Sequence, residues 1–163
     1  MDDVFDSEGT ELFISLDGDV SLNFDCPTAL TGLGFTAAER ERSCLNNPIS
    51  FSRPGKRKLN AFQVPFRVTR GSAAHKYLLG LTEETNANIE IPYAVAWTDG
   101  TTDPVLASGE YVAPGTAPAY TRTTTVGSLY VSAVSFDFAD GEDVMGSFTA
   151  MPQSQKTYWK PVS

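Results

Sequence analysis

Ile89-Glu90-Ile91-Pro92-Tyr93-Ala94-Val95-Ala96-Trp97, followed by Thr98-Asp99-Gly100-Thr101, is the stretch that decides the fold class. Ile89, Ile91, Tyr93, Val95 and Trp97 share one parity, the period of two that sets alternate side chains on one face of a strand. Asp99-Gly100 supplies a turn, and a further strand is expected around Val105 to Val112. Pro92 falls on the opposite parity and lacks an N–H, which predicts an edge position or a bulge.

The same period recurs on both sides. Leu12, Ile14, Leu16, Val20, Leu22 and Phe24 share a parity. A two-residue turn at Asp17-Gly18 would set Ile14 against Ser21 and break the apolar face, whereas a three-residue Asp17-Gly18-Asp19 loop sets Leu16 against Val20 and Ile14 against Leu22. A single bent strand fits the same parity. Phe62, Val64, Phe66 and Val68 alternate in a strand that Pro65 assigns to an edge. Residues 113–119 read as a loop and Thr121 to Val126 as a strand. Between Leu129 and Phe138 the apolar parity switches, which a bulge near Ala133 reconciles. Asp140-Gly141 turns the chain into a last strand, Val144 to Ala150, before a tail rich in Gln and Ser. One helix is predicted: Ser72 caps it, and Ala74, Tyr77, Leu78 and Leu81 fall at i, i+3, i+4 and i+7. Segments 31–47 and 113–120 read as irregular, with a short helical turn expected within Thr36 to Arg42. The fold class is therefore α+β, mainly β.

At 163 residues, 41% of them hydrophobic, the chain is sized for one domain. It holds no run of 18 apolar residues, and Met1-Asp2-Asp3-Val4-Phe5-Asp6 is the opposite of a signal peptide's basic start, so a soluble protein of a cytoplasm is expected. Cys26 and Cys44 are then expected to be buried free thiols. Twelve basic residues against 20 acidic ones, a formal charge of −8, argue against a nucleic-acid binder. The single histidine, His75, is expected on the helix surface and is too little for a His-rich metal site. No nucleophile elbow, phosphate-cradling loop or paired Cys-x-x-Cys is present, so neither enzyme activity nor a cofactor is expected. Asp137, Asp140, Glu142 and Asp143 form the densest carboxylate group. Turn chemistry explains them, and the ordered ligand series of a calcium loop is missing. Tyr93 and Trp97 are expected in the core rather than on a sugar platform.

Charge distribution is more informative. From Arg42 to Thr82 there are eight basic residues and no acidic one, while the remainder carries four basic and all 20 acidic residues, a balance of −16. Arg53, Pro54, Gly55, Lys56, Arg57 and Lys58 read as a turn-bearing loop, either a solvated hairpin or an element that meets an acidic surface of another copy. The N-terminal Asp2, Asp3, Asp6, Glu8 and Glu11 form one such surface.

The order of these pieces resembles the major tail tube protein of long, non-contractile-tailed bacteriophages. The likeness runs over about residues 10–151. It takes in the N-terminal strand pair, Thr31-Gly32-Leu33-Gly34, the charged Glu39-Arg40-Glu41-Arg42-Ser43-Cys44-Leu45, a long hairpin with Pro54-Gly55 at its tip, the strand Phe62 to Val68, the helix Ala73 to Leu81, the segment Ile91 to Thr101 and the final strands at 129–150. The resemblance implies a small antiparallel β-sandwich or barrel with one flanking helix, related to the tubes of contractile tails and type VI secretion. It implies a single domain over 1–163, with 1–10 as an N-terminal arm and 152–163 as a C-terminal tail. The implied role is a virion tail protein, assembled in the host cytoplasm, whose hexameric rings stack into a hollow conduit for DNA ejection. Within the family the long hairpin, here Phe51 to Asn60, reaches an adjacent ring. Implied partners are other copies of itself, the tape measure protein, the tail terminator and distal tail or baseplate proteins. Phage DNA passes in transit without tight binding, and no membrane is involved. A terminator or other ring-forming tail or neck protein, a type VI secretion-like tube protein and a carbohydrate-binding β-sandwich are the alternatives.

Overall fold

The computed structural model of the protein describes residues 8–16, 20–44, 47–83, 85 and 87–162, with side chains for all of these except 41–51. In chain order the elements are β1 (Glu11–Ile14), β2 (Leu22–Asn23), β3 (Phe35–Cys44), β4 (Asn47–Leu59), β5 (Phe62–Arg67) and α1 (Ala73–Gly80). There follow β6 (Ile91–Ala96), β7 (Val105–Ala107), β8 (Glu110–Val112), β9 (Gly115–Thr116), β10 (Ala119–Tyr120), β11 (Thr124–Asp137), β12 (Met145–Pro152) and β13 (Lys156–Tyr158). Seven strands make one antiparallel sheet in the order β2-β1-β6-β11-β12-β5, with β13 also on β11. Ile14 lies opposite Leu22, the register that the three-residue loop demands; residues 17–19 themselves lie outside the described residues.

The sheet curls into a half-barrel. Leu12 of β1 and Val64 of β5, near opposite ends of the strand order, line one crevice. A strap over residues 24–31 crosses the gap: Phe24 N–H donates to the Leu12 carbonyl at 2.7 Å, Thr28 N–H to Pro65 at 2.8 Å, and Thr31 and Gln63 exchange both bonds. Pro65 therefore turns its main-chain polar side toward the strap and away from β12, so its missing N–H costs the sheet no ladder bond. Phe24, Phe62, Phe66, Tyr93, Leu129 and Phe148 fill the enclosed core, and α1 adds Ala74 and Leu78. Ser72 caps the helix as the sequence predicts, its hydroxyl accepting from His75 N–H.

The opposite face of the sheet is also covered, which the alternation does not reveal. Phe13, Ala94, Ala96 and Val126 pack beneath Tyr111 and Leu106 of a β7–β8 hairpin. The single strand expected over 105–112 is thus two, joined at Ser108-Gly109 with φ of 52° and 78°. Consecutive positive φ values make the tight turn whose twist suits a hairpin. Residues 115–120, expected as loop, hold the short β9–β10 pair.

Three further expectations change. Pro92 is not at an edge, because β6 lies between β1 and β11. It sits where the β1 ladder ends: its carbonyl accepts from Ser15 N–H, and it has no N–H to return. His75 is buried rather than on the helix surface. Its Nδ1 accepts from Thr69 N–H at 2.9 Å, so Nε2 carries the proton and donates to the Asp25 carbonyl at 2.9 Å, with Phe66 stacked on the ring. Helical spacing alone gave this position no apolar signal. Cys26 is exposed, not buried, and the Cys44 side chain lies outside the described residues.

The strands expected at 121–126 and 129–138 are one 14-residue strand, β11, whose register shifts between Val131 and Ala133, where the parity switch places a bulge. Beyond β12 the chain recrosses β11 so closely that a Cβ on Gly127 would overlap the Ser154 carbonyl oxygen. The expected tail then adds β13 to the sheet.

Tyr93 is fully buried at the centre of β6, its hydroxyl donating to the Ser154 carbonyl at 3.3 Å. Burial pushes its pKa up to about 12. The unfolded phenol ionises near pH 10 while the folded one stays neutral, so its contribution to stability is complete below pH 10 and falls as pH rises from there toward 12. Urea unfolding between pH 9 and 12 should show this alkaline loss, at up to roughly 1.4 kcal/mol per pH unit. Tyr93→Phe should lower stability by about 1 kcal/mol at neutral pH and flatten the alkaline slope. An unchanged slope in the variant would assign the loss to other groups.

Candidate assembly surface

The basic segment does not form the tip of a loop. Arg53, Pro54, Gly55, Lys56, Arg57 and Lys58 lie within β4, paired along its length with β3: Phe35 faces Leu59, Ala37 faces Arg57, Glu39 faces Pro54, Arg40 faces Arg53 and Cys44 faces Asn47. The reversal falls at residues 45–46, outside the described residues. Gly55 and Lys56 together oppose Ala38, so Pro54-Gly55 marks a bulge, where a Cβ on Gly55 would come within 2.7 Å of the Ala38 carbonyl oxygen. The Pro-Gly pair signals turn and bulge alike. The short helical turn expected within Thr36 to Arg42 is likewise replaced by strand. Among the described residues the hairpin's strands join no other sheet, so no sheet face imposes a period on this segment.

Among the described residues β3 and β4 pair only with each other. The hairpin's 35–59 stretch holds six basic and two acidic residues, a balance of +4. Arg40, Arg53, Lys56, Arg57 and Lys58 are exposed, and the Arg57 guanidinium lies over the exposed Phe35 ring at 4.9 Å. The hairpin springs from the Phe62 end of β5, where Asn60 N–H donates to the Gly34 carbonyl at 2.9 Å and Thr36 bonds the Asn60 side chain.

The carboxylates of Asp137, Asp140, Glu142 and Asp143 sit at the other end of β5. They are all exposed, around the β11–β12 turn that the sequence predicts at Asp140-Gly141. Val68 N–H donates to the Val144 carbonyl, and Arg67 approaches Asp143 at 3.9 Å with both side chains largely solvated. Such a pair contributes on the order of 0 to 1 kcal/mol. Phe138, 79% exposed, projects from the same turn.

The expected acidic N-terminal arm divides. Asp2, Asp3 and Asp6 lie outside the described residues, and Glu8 is exposed. Glu11 has partners within the chain: its carboxylate takes Arg122 Nη1 at 2.8 Å and Asn23 Nδ2 at 3.0 Å. Arg122 is 1% exposed and also donates to the carbonyls of Gly9, Ala96, Trp97 and Thr102. Asp99 accepts from the N–H and the hydroxyl of the adjacent Thr123, and Lys160 N–H donates to the same hydroxyl. The sequence reading missed Arg122; an arginine in a Thr-rich strand that the sheet buries was the available signal.

A family model described as "Phage tail tube, TTP, lambda-like" matches residues 3–162. The chain belongs to the lambda-like phage tail tube family. It is a structural component of the phage tail. A curated relative, Structural protein 3 of Pseudomonas phage PAJU2, is 30% identical over 148 residues, covering 88% of this chain and 87% of the relative. Among solved structures, a chain of the anti-feeding prophage baseplate superposes with a TM-score of 0.68 at 9% identity, covering 96% of this chain and 97% of that one. The SPP1 tail tube gives a TM-score of 0.64 at 12% identity, covering 98% and 81%. The sheath/tube terminator of an extracellular contractile injection system gives 0.65 at 12%, covering 96% and 97%. At these identities the structures establish a shared fold, and it is the half-barrel with its flanking helix.

The Arg122 guanidinium should dominate the stability of the tail tube fold. Arg122→Ala strips five acceptors of their donor and should lower the unfolding free energy by about 3–5 kcal/mol in urea titration. A loss below about 1 kcal/mol would mean that water replaces the guanidinium.

Proposed function

We propose that this chain closes into hexameric rings that stack into the hollow tail tube, the conduit for DNA ejection into the host, and that the β3–β4 hairpin carries the contact between rings. The observation that carries the reading is the family match over nearly the whole chain, together with a long charged hairpin whose strands, among the described residues, pair only with each other. The surface area supports it: 10,873 Å² is exposed, against roughly 8,000 Å² for a compact monomer of this mass. Sixfold closure is supported by the baseplate relative, which comes from a 6-fold symmetrised assembly. Six copies at −8 carry a formal −48 per ring. A negative bore repels DNA and lets it slide without sticking.

Partners follow from the same reading: other copies of the chain along the tube, the tape measure protein within it, and terminator and distal tail or baseplate proteins at its ends. A chain of the injection system's sheath/tube terminator structure shares the fold. The tail tube family match favours polymerisation over a single capping ring. Negative-stain microscopy of the purified chain separates the two. Long hollow tubes support the proposal; isolated rings assign a capping role, and monomers alone reject self-assembly.

Replacing Lys56, Arg57 and Lys58 together by Glu should leave a folded chain that forms rings or smaller oligomers, with long tubes rare. Each exposed ion pair is worth only about 0 to 1 kcal/mol, but six repeats per ring contact multiply the loss to several kcal/mol. Tubes of wild-type length and abundance from the triple variant at moderate salt would reduce this face of the hairpin to a solvated surface.

A further inference from the structure

Strand β11 is paired along only part of one edge. On its β6 side the ladder runs from Thr124 to Leu129 and ends opposite Ile91. One step on, the Asn88 side-chain amide donates to the Val131 carbonyl. From Ser132 to Asp137 no strand of the described residues lies on that side, although β12 pairs the other edge throughout. A crevice of about 290 Å³ opens there between Leu81 and Val134. Leu81, Thr82 and Asn88 flank the first part of this edge across the crevice; beyond it, Ser135 to Asp137 have no strand beside them among the described residues and form a template for pairing with another chain.

Resting on the reading that copies stack, we infer that this open edge of β11 receives the β3–β4 hairpin of a second copy, whose basic side chains meet the carboxylates of the β11–β12 turn. The charges match. The hairpin's +4 faces a −4 over residues 137–143. The positions also match. The hairpin leaves the domain at the Phe62 end of β5, and the carboxylates stand at the Arg67 end, six residues or roughly 20 Å away. Donor and acceptor thus lie at opposite poles of one strand. Copies related by translation along it bring one's hairpin to the next one's turn, a head-to-tail contact that repeats without end. Main-chain pairing is indifferent to sequence, so the charged side chains set the register and exclude other edges. Phe138, at the end of the open edge, has an exposed apolar partner in Phe35 of the hairpin. The acceptor in this reading is the β11–β12 end of the sheet.

Charge exchange tests this. Lys56→Glu, Arg57→Glu and Lys58→Glu in one variant, and Asp140→Lys, Glu142→Lys and Asp143→Lys in a second, should each reduce sedimentable tube by about tenfold or more. All six together should restore it to within about threefold of wild type, with circular dichroism confirming that each variant is folded. Two unrescued single-site losses, or an acidic-turn variant that assembles normally, would overturn the assignment while leaving hairpin-mediated stacking intact. A wild-type chain that forms no tubes would instead remove the stacking reading itself. Zero-length carbodiimide cross-linking of wild-type tubes gives a readout without substitution. Lys56 or Lys58 should join Asp140, Glu142 or Asp143; joining only to Glu8 or other carboxylates counts against the β11 edge.

Discussion

Burying the Arg122 guanidinium costs several kcal/mol unless nearly every donor finds an acceptor, and the rest of the domain is arranged around meeting that demand. Its five acceptors come from separate stretches: Gly9 and Glu11 before and in β1, Ala96 and Trp97 at the end of β6, and Thr102 beyond the turn. None of these stretches can shift alone without stranding a charge. Thr123, next in sequence, extends the same junction to Asp99 and to the backbone of Lys160. The start of the chain, its central strands and its last segment therefore meet at one pole of the half-barrel.

That junction leaves the sheet body with little freedom. The strap over 24–31 closes the curl on one side, and the β7–β8 hairpin covers the other face. His75 ties α1 to both the strap and the loop after β5 through its two ring nitrogens. Against this body the β3–β4 hairpin is a separate two-stranded unit with an exposed, mostly basic surface. A fixed body carrying one long arm suits a tail tube subunit, because errors in the body would accumulate from copy to copy.

Most of the sheet was legible because its strands bury one face, and burial writes a period of two into the sequence. Phe62, Val64 and Phe66 show it, and so does the parity switch at the β11 bulge. Parity excludes the two-residue turn and fits either the Ile14–Leu22 register or a single bent strand, and the structure holds that register. The method failed where burial is absent or two-sided. The hairpin strand Phe35–Cys44 pairs only with β4 among the described residues and has no period to read. Phe13, Ala94 and Ala96 belong to a second core whose cover, β7–β8, is distant in sequence. Pro92 reads as an edge or a bulge residue because the sequence does not say where a neighbouring ladder stops.

The residues by themselves determined the mainly β class, the capped helix, the acidic balance with one basic stretch, and the kinship with tail tubes. The first three depend on local chemistry (alternation, turn residues, capping and charge), and the kinship rests on a resemblance in the order of the pieces along the chain. Tertiary structure alone decided that Glu11 belongs to Arg122, that His75 is buried, that Pro54-Gly55 bends a strand instead of ending a hairpin, and that among the described residues no strand pairs the end of one edge of β11. Each of these depends on which distant segment lies alongside, and a one-dimensional pattern records a residue's own preference but not the partner that satisfies it.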